Sequence, residues 1–123
     1  MAQKREHVAE AGIVMLAAMR IAVGVVAWVR PDVAATSFGM SAPDGQARYL
    51  WRLFGVRDAV IGLATVSTRG SHRRTWAKVG LACDVADGTA GALAGSSVNR
   101  VTAAAMVGVP AAAVAFGAWA LRR

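Results

Sequence analysis

Four long apolar segments, separated by short polar connections, account for most of the chain. They cover approximately residues 11–29, 47–68, 75–94 and 101–121. Each is close to the ~20 residues that an α-helix needs to cross the ~30 Å hydrocarbon core of a bilayer. The pattern predicts an all-α protein, an integral membrane four-helix bundle that forms a single domain over residues 1–123.

Turn and breaker residues mark the connections between these segments. Arg30-Pro31 follows the first segment, and proline disfavours a helical conformation of the residue before it. Ser41-Ala-Pro-Asp-Gly45 has turn chemistry and provides a start signal for the second helix. We therefore expect a loop between residues 31 and 46, with at most a short interfacial turn at residues 33–38, and a polar lead-in over residues 1–10.

The composition supports a membrane protein more than a soluble one. Hydrophobic residues make up 56% of the chain, and the mean hydropathy is +0.45. Soluble domains contain about 45–50% apolar residues even with glycine included. A signal peptide is the competing interpretation of the first segment, but Arg20 interrupts it and its length exceeds a typical signal core. A soluble helical protein with unusually apolar helices is the other alternative.

The net charge of +7 favours a membrane topology over nucleic-acid binding. No aromatic-basic platform or recognition helix accompanies the charge, so no nucleic-acid partner is predicted. If the four helices alternate in direction, most basic residues fall on one side, namely Lys4, Arg5, Arg69, Arg73, Arg74, Lys78, Arg122 and Arg123. The positive-inside rule then places both termini in the cytoplasm. Trp28 and Trp51 at the outer helix ends, with Trp76 and Trp119 at the inner ends, indicate the same topology.

Five ionisable side chains lie within about two turns of the centres of the predicted helices. They are Arg20 in the first helix, Arg57 and Asp58 in the second, and Asp84 and Asp87 in the third. A charge in the bilayer core costs ~2.5–3.5 kcal/mol on insertion scales, so such groups need partners. We expect the two arginines to be neutralised by the three aspartates across helices. Arg52, nearer the outer surface, is a possible accessory member.

Glycines share helix faces with these charges through steps of three and four residues. The candidate helix-packing glycines are Gly24, Gly55, Gly62, Gly80, Gly91 and Gly95. Small residues allow membrane helices to approach closely, so each charge on such a face lies where a neighbouring helix can come near. Arg57 differs, because its own face is apolar, and it needs a partner on another helix or another subunit.

Nothing in the sequence indicates catalysis. Asp84-x-x-Asp87-Gly88 is similar to the start of the CDP-alcohol phosphotransferase motif, but the later pair of aspartates is missing. Metal-assisted phosphoryl chemistry needs the full set of ligands. Cys83, the only cysteine, has no histidine base at its depth. We therefore predict no catalytic residue, no metal site and no cofactor, and a protein that is not an enzyme.

One stretch resembles a known family. Arg52-Leu-Phe-Gly-Val-Arg57-Asp58-Ala-Val-Ile-Gly62 is similar to the signature of a bacterial family of uncharacterised small four-helix membrane proteins, loosely similar to DoxX-like proteins. Met19-Arg20-Ile-Ala-Val-Gly24, followed by Arg30-Pro31 and Phe38-Gly39, supports the resemblance. It covers about the first half of the chain. It implies a four-helix membrane fold in the bacterial plasma (inner) membrane, and it brings no activity or cofactor.

Two functions remain open at this level. In the first, the protein is a non-catalytic structural or interaction component of a homo-oligomer or larger membrane assembly, and the charged cluster serves assembly. In the second, it is a small carrier or channel in which Asp58, Asp84 and Asp87 bind a cation or proton. The expected partners are the lipid bilayer and other membrane subunits, a second copy of the chain among them.

Overall fold

The computed structural model describes residues 1–122, which form five α-helices and one short 3-10 turn. The helices are α1 (Ala2–Val29), α2 (Pro31–Ser37), α3 (Gly45–Ser67), α4 (Gly70–Ala94) and α5 (Arg100–Leu121), and the 3-10 turn is Gly95–Ser97. No strand occurs in residues 1–122, so the prediction of an all-α protein is confirmed.

Two helices begin earlier than the apolar pattern indicated. α1 starts at Ala2 rather than near residue 11, because the polar residues before the apolar run are good helix formers. α4 starts at Gly70, so most of the segment expected to be a basic loop is its first turn. The connection after α1 also contains a seven-residue helix, α2, with Pro31 at its first position. Hydropathy marks where a helix enters apolar surroundings, not where it begins.

The extra helix α2 is held by local contacts at both of its ends. The Arg30 side chain donates two hydrogen bonds to the Asp32 carboxylate, at 3.1 and 3.0 Å. This guanidinium lowers the pKa of the exposed Asp32 carboxyl. Beyond α2, the Asn99 side-chain nitrogen donates to the Gly39 carbonyl at 3.0 Å, while its oxygen accepts from the Thr102 amide at 2.8 Å. Asn99 therefore caps α5 and ties its start to the end of α2.

The four long helices form a closed ring in which each one packs against two others. α1 packs most extensively on α3 and α4 on α5, and the contacts of α3 with α4 and of α1 with α5 complete the ring. Backbones touch at glycines on these faces. A Cβ on Gly55 would lie 2.5 Å from the Gly24 carbonyl oxygen, and one on Gly62 would lie 2.6 Å from that of Ala17. The α1–α3 crossing is therefore as close as small residues permit.

The α4–α5 crossing combines a glycine with a proline. Pro110, inside α5, lacks the N–H that would otherwise bond the Met106 carbonyl four residues earlier. Gly91 lies against this carbonyl, since a Cβ there would be 2.5 Å from the Met106 oxygen. The prediction for Gly95 is wrong in this respect: it lies in the 3-10 turn, and a Cβ on it would meet nothing within 4 Å among the described residues. α4 ends at Ala94, so the spacing of four residues no longer keeps Gly95 on the same face.

The buried interior is small and includes charged side chains, whereas many large apolar side chains are exposed. Most buried apolar residues are alanines, and the buried polar residues are Arg20, Asp58, Thr65, Asp84 and Thr102. Large aliphatic side chains point outward instead, as Leu53 and Val60 do with 46% and 53% exposure. In water-soluble proteins, Val, Ile and Leu are most often buried and charged residues are almost never fully buried unless paired.

Two helices, α1 and α5, are long and apolar enough to cross a membrane by length and composition. Their most apolar 18-residue windows have mean hydropathies of 2.1 and 1.8. α3 and α4 do not meet the same criterion, because α3 contains Arg52, Arg57 and Asp58 and α4 contains Lys78, Asp84 and Asp87. By this measure, two of the four segments expected to span a bilayer qualify.

Candidate functional site

Arg20 lies on the inner face of α1 and joins three helices. Its Nη1 donates to Asp84 Oδ1 on α4 at 3.0 Å, and its Nη2 donates to Asp84 Oδ2, which makes a bidentate ion pair. Nη1 also donates to Asp58 Oδ1 on α3 at 3.5 Å. All three side chains are 10% exposed or less. We call Arg20, Asp58 and Asp84 the inner cluster.

Gly80 provides the space in which the Arg20 guanidinium lies. It precedes Asp84 by one turn of α4, and a Cβ on it would lie 2.9 to 3.0 Å from the Nη2, Cζ and Nε atoms of Arg20. Any larger residue at this position would displace the guanidinium. On one face of α4, Gly80 therefore leaves room for the Arg20 guanidinium and Asp84 binds it.

The inner cluster carries more negative than positive charge. One arginine faces two aspartates, so its formal charge is −1 when all three groups are ionised. Asp84 takes both strong hydrogen bonds from Arg20, and Asp58 receives only the 3.5 Å contact, at the limit of hydrogen-bond distance. Asp58 is therefore the least satisfied carboxylate of the cluster, although it is buried.

Arg57 and Asp87 form a second ion pair between α3 and α4, which we call the lateral pair. Arg57 Nη2 donates to Asp87 Oδ2 at 2.6 Å. The two side chains are 37% and 27% exposed, so this pair reaches the surface of the bundle. The guanidinium carbon lies 5.2 Å from the centre of the Phe54 ring, within cation–π range. Arg57 Nε is buried and has no hydrogen-bond partner in residues 1–122.

The remaining predicted member, Arg52, does not join either group. Its Nε donates to the Trp28 carbonyl oxygen at 3.1 Å. Trp28 lies in the last turn of α1, where backbone carbonyls lack helical donors. Arg52 therefore caps the end of α1 instead of balancing the buried aspartates.

Two further arginines cap helix ends, and the sequence did not indicate this role. Arg73 donates to the carbonyls of Thr65, Val66 and Thr68 at the end of α3, over 2.8 to 3.3 Å, and to Glu10 on α1 at 2.7 Å. Arg74 donates to the Leu121 carbonyl at the end of α5. For Arg73 the usable signal was its place just after a two-residue connection, where a long side chain reaches back to the preceding helix; no such signal exists for the contact of Arg74 with α5.

The basic end of the molecule contains a cavity of about 260 Å³ between α1 and the start of α4, lined in part by Glu6, Glu10, Arg73 and Arg74. Arg73 donates from all three of its side-chain nitrogens, to α3 carbonyls and to Glu10, and Arg74 donates from Nη2 to the Leu121 carbonyl. Among residues 1–122, no group of three or more His, Cys, Asp or Glu side chains has an arrangement that could hold a metal ion.

No family model, curated protein or solved structure matches the chain. The similarity to DoxX-like proteins therefore stays a prediction, and the chemistry of the site must be argued from its residues. These residues can neutralise one another, fix the rotation of three helices and offer one weakly bonded carboxylate, Asp58. They do not include a nucleophile hydrogen-bonded to a base among the described contacts.

Proposed function

We propose that this protein is a multi-pass membrane protein of the bacterial plasma membrane, similar to the DoxX-like family, with α1, α3, α4 and α5 spanning the bilayer and both termini cytoplasmic. We further propose that it acts as a non-catalytic structural or interaction component of a membrane assembly. One observation carries this proposal: Arg20, Asp58 and Asp84 of the long helices are buried and paired, while many large aliphatic side chains of the same helices are exposed.

A bilayer explains this arrangement better than water does. A soluble monomer rarely exposes contiguous apolar patches larger than a few hundred Å². In lipid, aliphatic side chains are solvated, and the ionisable ones must face the interior of the bundle or pair with each other. α3 and α4 carry charges that lower their hydropathy, but pairing of Asp58, Asp84 and Asp87 with arginines reduces the cost of inserting them.

The tight fit of the inner cluster favours a structural role for it. Arg20 fills the space above Gly80 and is held by both oxygens of Asp84. An ion pair in which one partner is missing costs ~3–5 kcal/mol in a dry interior, so the cluster selects one rotation and depth for α1, α3 and α4. A component that presents a fixed surface to other subunits requires such a defined packing of its helices.

Cysteine accessibility tests the proposed topology. In a Cys83→Ala background, Ser71→Cys and Ser97→Cys place single thiols on opposite sides of the proposed membrane, and both serines are exposed. An impermeant maleimide should label the Ser97→Cys variant in intact cells and the Ser71→Cys variant only after permeabilisation. The cysteine-free protein is the control. Labelling of both variants from the same side contradicts the proposal.

The excess negative charge of the inner cluster favours a second candidate, a small carrier or channel for a cation or proton. Asp58 is the residue on which it depends, since it is buried and weakly bonded. Asp58→Asn keeps the shape and removes the charge. The carrier predicts a folded variant without proton- or cation-coupled flux in proteoliposomes. The structural component predicts that wild-type protein gives no flux above that of protein-free vesicles.

A further inference from the structure

The α3–α4 face that carries the lateral pair is open to the surroundings of the bundle. Leu53 and Val60, one turn before and after Arg57, are among the exposed aliphatic residues. On α4, Ala86 and Ala90 beside Asp87 are also exposed. We call this surface the lateral face. It places a partly exposed ion pair among apolar side chains, near the middle of α3.

Within the proposed membrane bundle, the lateral pair is incompletely bonded. A guanidinium has five N–H donors, and Arg57 uses one of them on Asp87 while its Nε has no partner in residues 1–122. The Phe54 ring adds only a cation–π contact. Because water is scarce at this depth, the remaining Nη donors of Arg57 and the second oxygen of Asp87 need partners from another molecule.

We propose that the lateral face binds the lateral face of a second copy of this chain, so that Arg57 of each copy pairs with Asp87 of the partner subunit. This inference rests on the proposed membrane bundle and identifies its oligomer contact. A two-fold axis along the bilayer normal keeps both copies in one orientation and brings α3 of one copy opposite α4 of the other. The bonded atoms of Arg57 and Asp87 already lie at one depth, so the exchanged pair meets in register.

The charge of the lateral pair favours a second copy over a lipid. A lipid phosphate approaching Arg57 would also approach the carboxylate of Asp87, 2.6 Å from it, and would be repelled. A positive and a negative group side by side are complementary to the same arrangement turned by two-fold rotation. The exchange gives a ring of four alternating charges, in which the free donors of Arg57 find acceptors and the face loses its contact with lipid.

Two charge-inverted variants test the exchange between chains. Arg57→Asp makes both positions of the lateral pair negative, and Asp87→Arg makes both positive. When the two variants carry different affinity tags and are expressed together, each should recover the other in mild detergent, whereas each variant with itself should lose the dimer seen for wild type. Recovery of neither, while wild-type dimers form and both variants are present in the membrane, overturns the proposal.

A cross-linking measurement on otherwise native charges covers the case in which those variants fail to fold. In the Cys83→Ala background, one tagged copy carries Leu53→Cys on α3 and the other carries Ala90→Cys on α4, two exposed positions of the lateral face that the two-fold axis brings opposite each other. Copper-phenanthroline oxidation in native membranes should join these copies in a mixed disulfide dimer, whereas Leu53→Cys expressed with Val109→Cys, exposed on α5, is the matched control and should give none. Equal cross-linking of the two combinations, or of neither, overturns the proposal.

These results separate the lateral contact from the membrane bundle on which it rests. Carbonate extraction of the same membranes reports whether the chain is integral. Protein that resists extraction but gives no dimer, or cross-links only to another protein, overturns the two-copy contact and leaves the bundle standing. Protein released by carbonate overturns both.

Discussion

At the scale of single residues, the molecule depends on how one arginine is held. Arg20 reaches across from α1 and bonds carboxylates on α3 and α4, so its side chain alone joins three helices. Asp84 takes the bidentate contact, and Asp58 takes a longer one. The two aspartates therefore differ in their importance for stability, although the sequence shows no difference between them.

Removal of Asp84 is expected to destabilise the fold strongly. Asp84→Ala leaves the buried guanidinium with only the 3.5 Å contact to Asp58, and we expect a loss of about 3–5 kcal/mol in unfolding free energy. Arg20→Met added to Asp84→Ala should restore part of this loss, because no uncompensated arginine remains. Asp87→Ala, which removes one hydrogen bond where Asp84→Ala removes two, should cost less. Unfolding by sodium dodecyl sulfate measures these differences, and an Asp84→Ala protein as stable as wild type contradicts the structural role.

Gly80 and Gly95 form a matched pair for a second test. A Cβ on Gly80 meets the Arg20 guanidinium at 2.9 to 3.0 Å, so Gly80→Ala should displace it and cost about 1–3 kcal/mol. Gly95 has right-handed helical angles and open space around it, so Gly95→Ala should be neutral or stabilise by about 0.4–1 kcal/mol. Thermal unfolding in detergent compares the two. An equal effect of both changes would show that Gly80 does not hold a place for Arg20.

Part of this site follows from the sequence, and part depends on tertiary geometry. Steps of three and four residues place Gly80, Asp84 and Gly91 on one face of α4, and the structure has them there in contact with neighbouring helices. The choice of Asp84 for Arg20 and of Asp87 for Arg57 depends on how α1, α3 and α4 are rotated about their axes. A single sequence does not determine that rotation. The sequence pattern therefore identified the five charged residues but not which arginine pairs with which aspartate.

At the scale of elements, arginines connect the ends of helices. Arg52 caps α1, Arg73 caps α3 and Arg74 caps α5, each through backbone carbonyls that lack helical donors. The sequence indicated only the positive charge of Arg73 and Arg74, which contributed to the predicted topology, and it suggested Arg52 as an accessory to the buried charges. A long side chain can both attract lipid phosphates and cap a helix, and only coordinates distinguish the two roles.

Arg73 should be the most sensitive of these caps. It bonds three carbonyls of α3 and the Glu10 carboxylate, and its side chain is largely buried. Arg73→Lys keeps the charge but loses the planar fork, so we expect faster amide exchange at the α3–α4 connection and a stability loss of about 1–3 kcal/mol. Arg69→Lys, at an exposed arginine of the same segment, is the control. Identical exchange in both variants would contradict the capping role.

The bounds of the helices show which helix ends the apolar pattern predicts and which it does not. The apolar run predicted α5 to within a residue at its start, because Asn99 caps it directly before the run. α1 and α4 extend outward into polar sequence, where helix propensity and capping continue the helix without apolar residues. α2 was expected as an interfacial turn at most, since seven residues are too few to display a period.

At the scale of the whole molecule, the proposal depends on what surrounds α3 and α4. α1 and α5 have the length and hydropathy of membrane spans, whereas α3 and α4 do not by composition alone. Yet all four close one ring, and the charges of α3 and α4 that lower hydropathy include the partners of Arg20. If α1 and α5 lie in the bilayer, α3 and α4 lie there too, because they pack against α1 and α5 along their lengths.

Depth measurement by spin labelling tests this claim most directly. In the Cys83→Ala background, nitroxides at Val56→Cys on α3, Val85→Cys on α4 and Val109→Cys on α5 all occupy exposed positions outside the lateral face. For protein in nanodiscs, we predict high collision rates with oxygen and low rates with a water-soluble nickel chelate at all three positions. Low oxygen and high nickel collision rates at Val56→Cys and Val85→Cys, with the membrane signature at Val109→Cys, would contradict a four-helix membrane bundle.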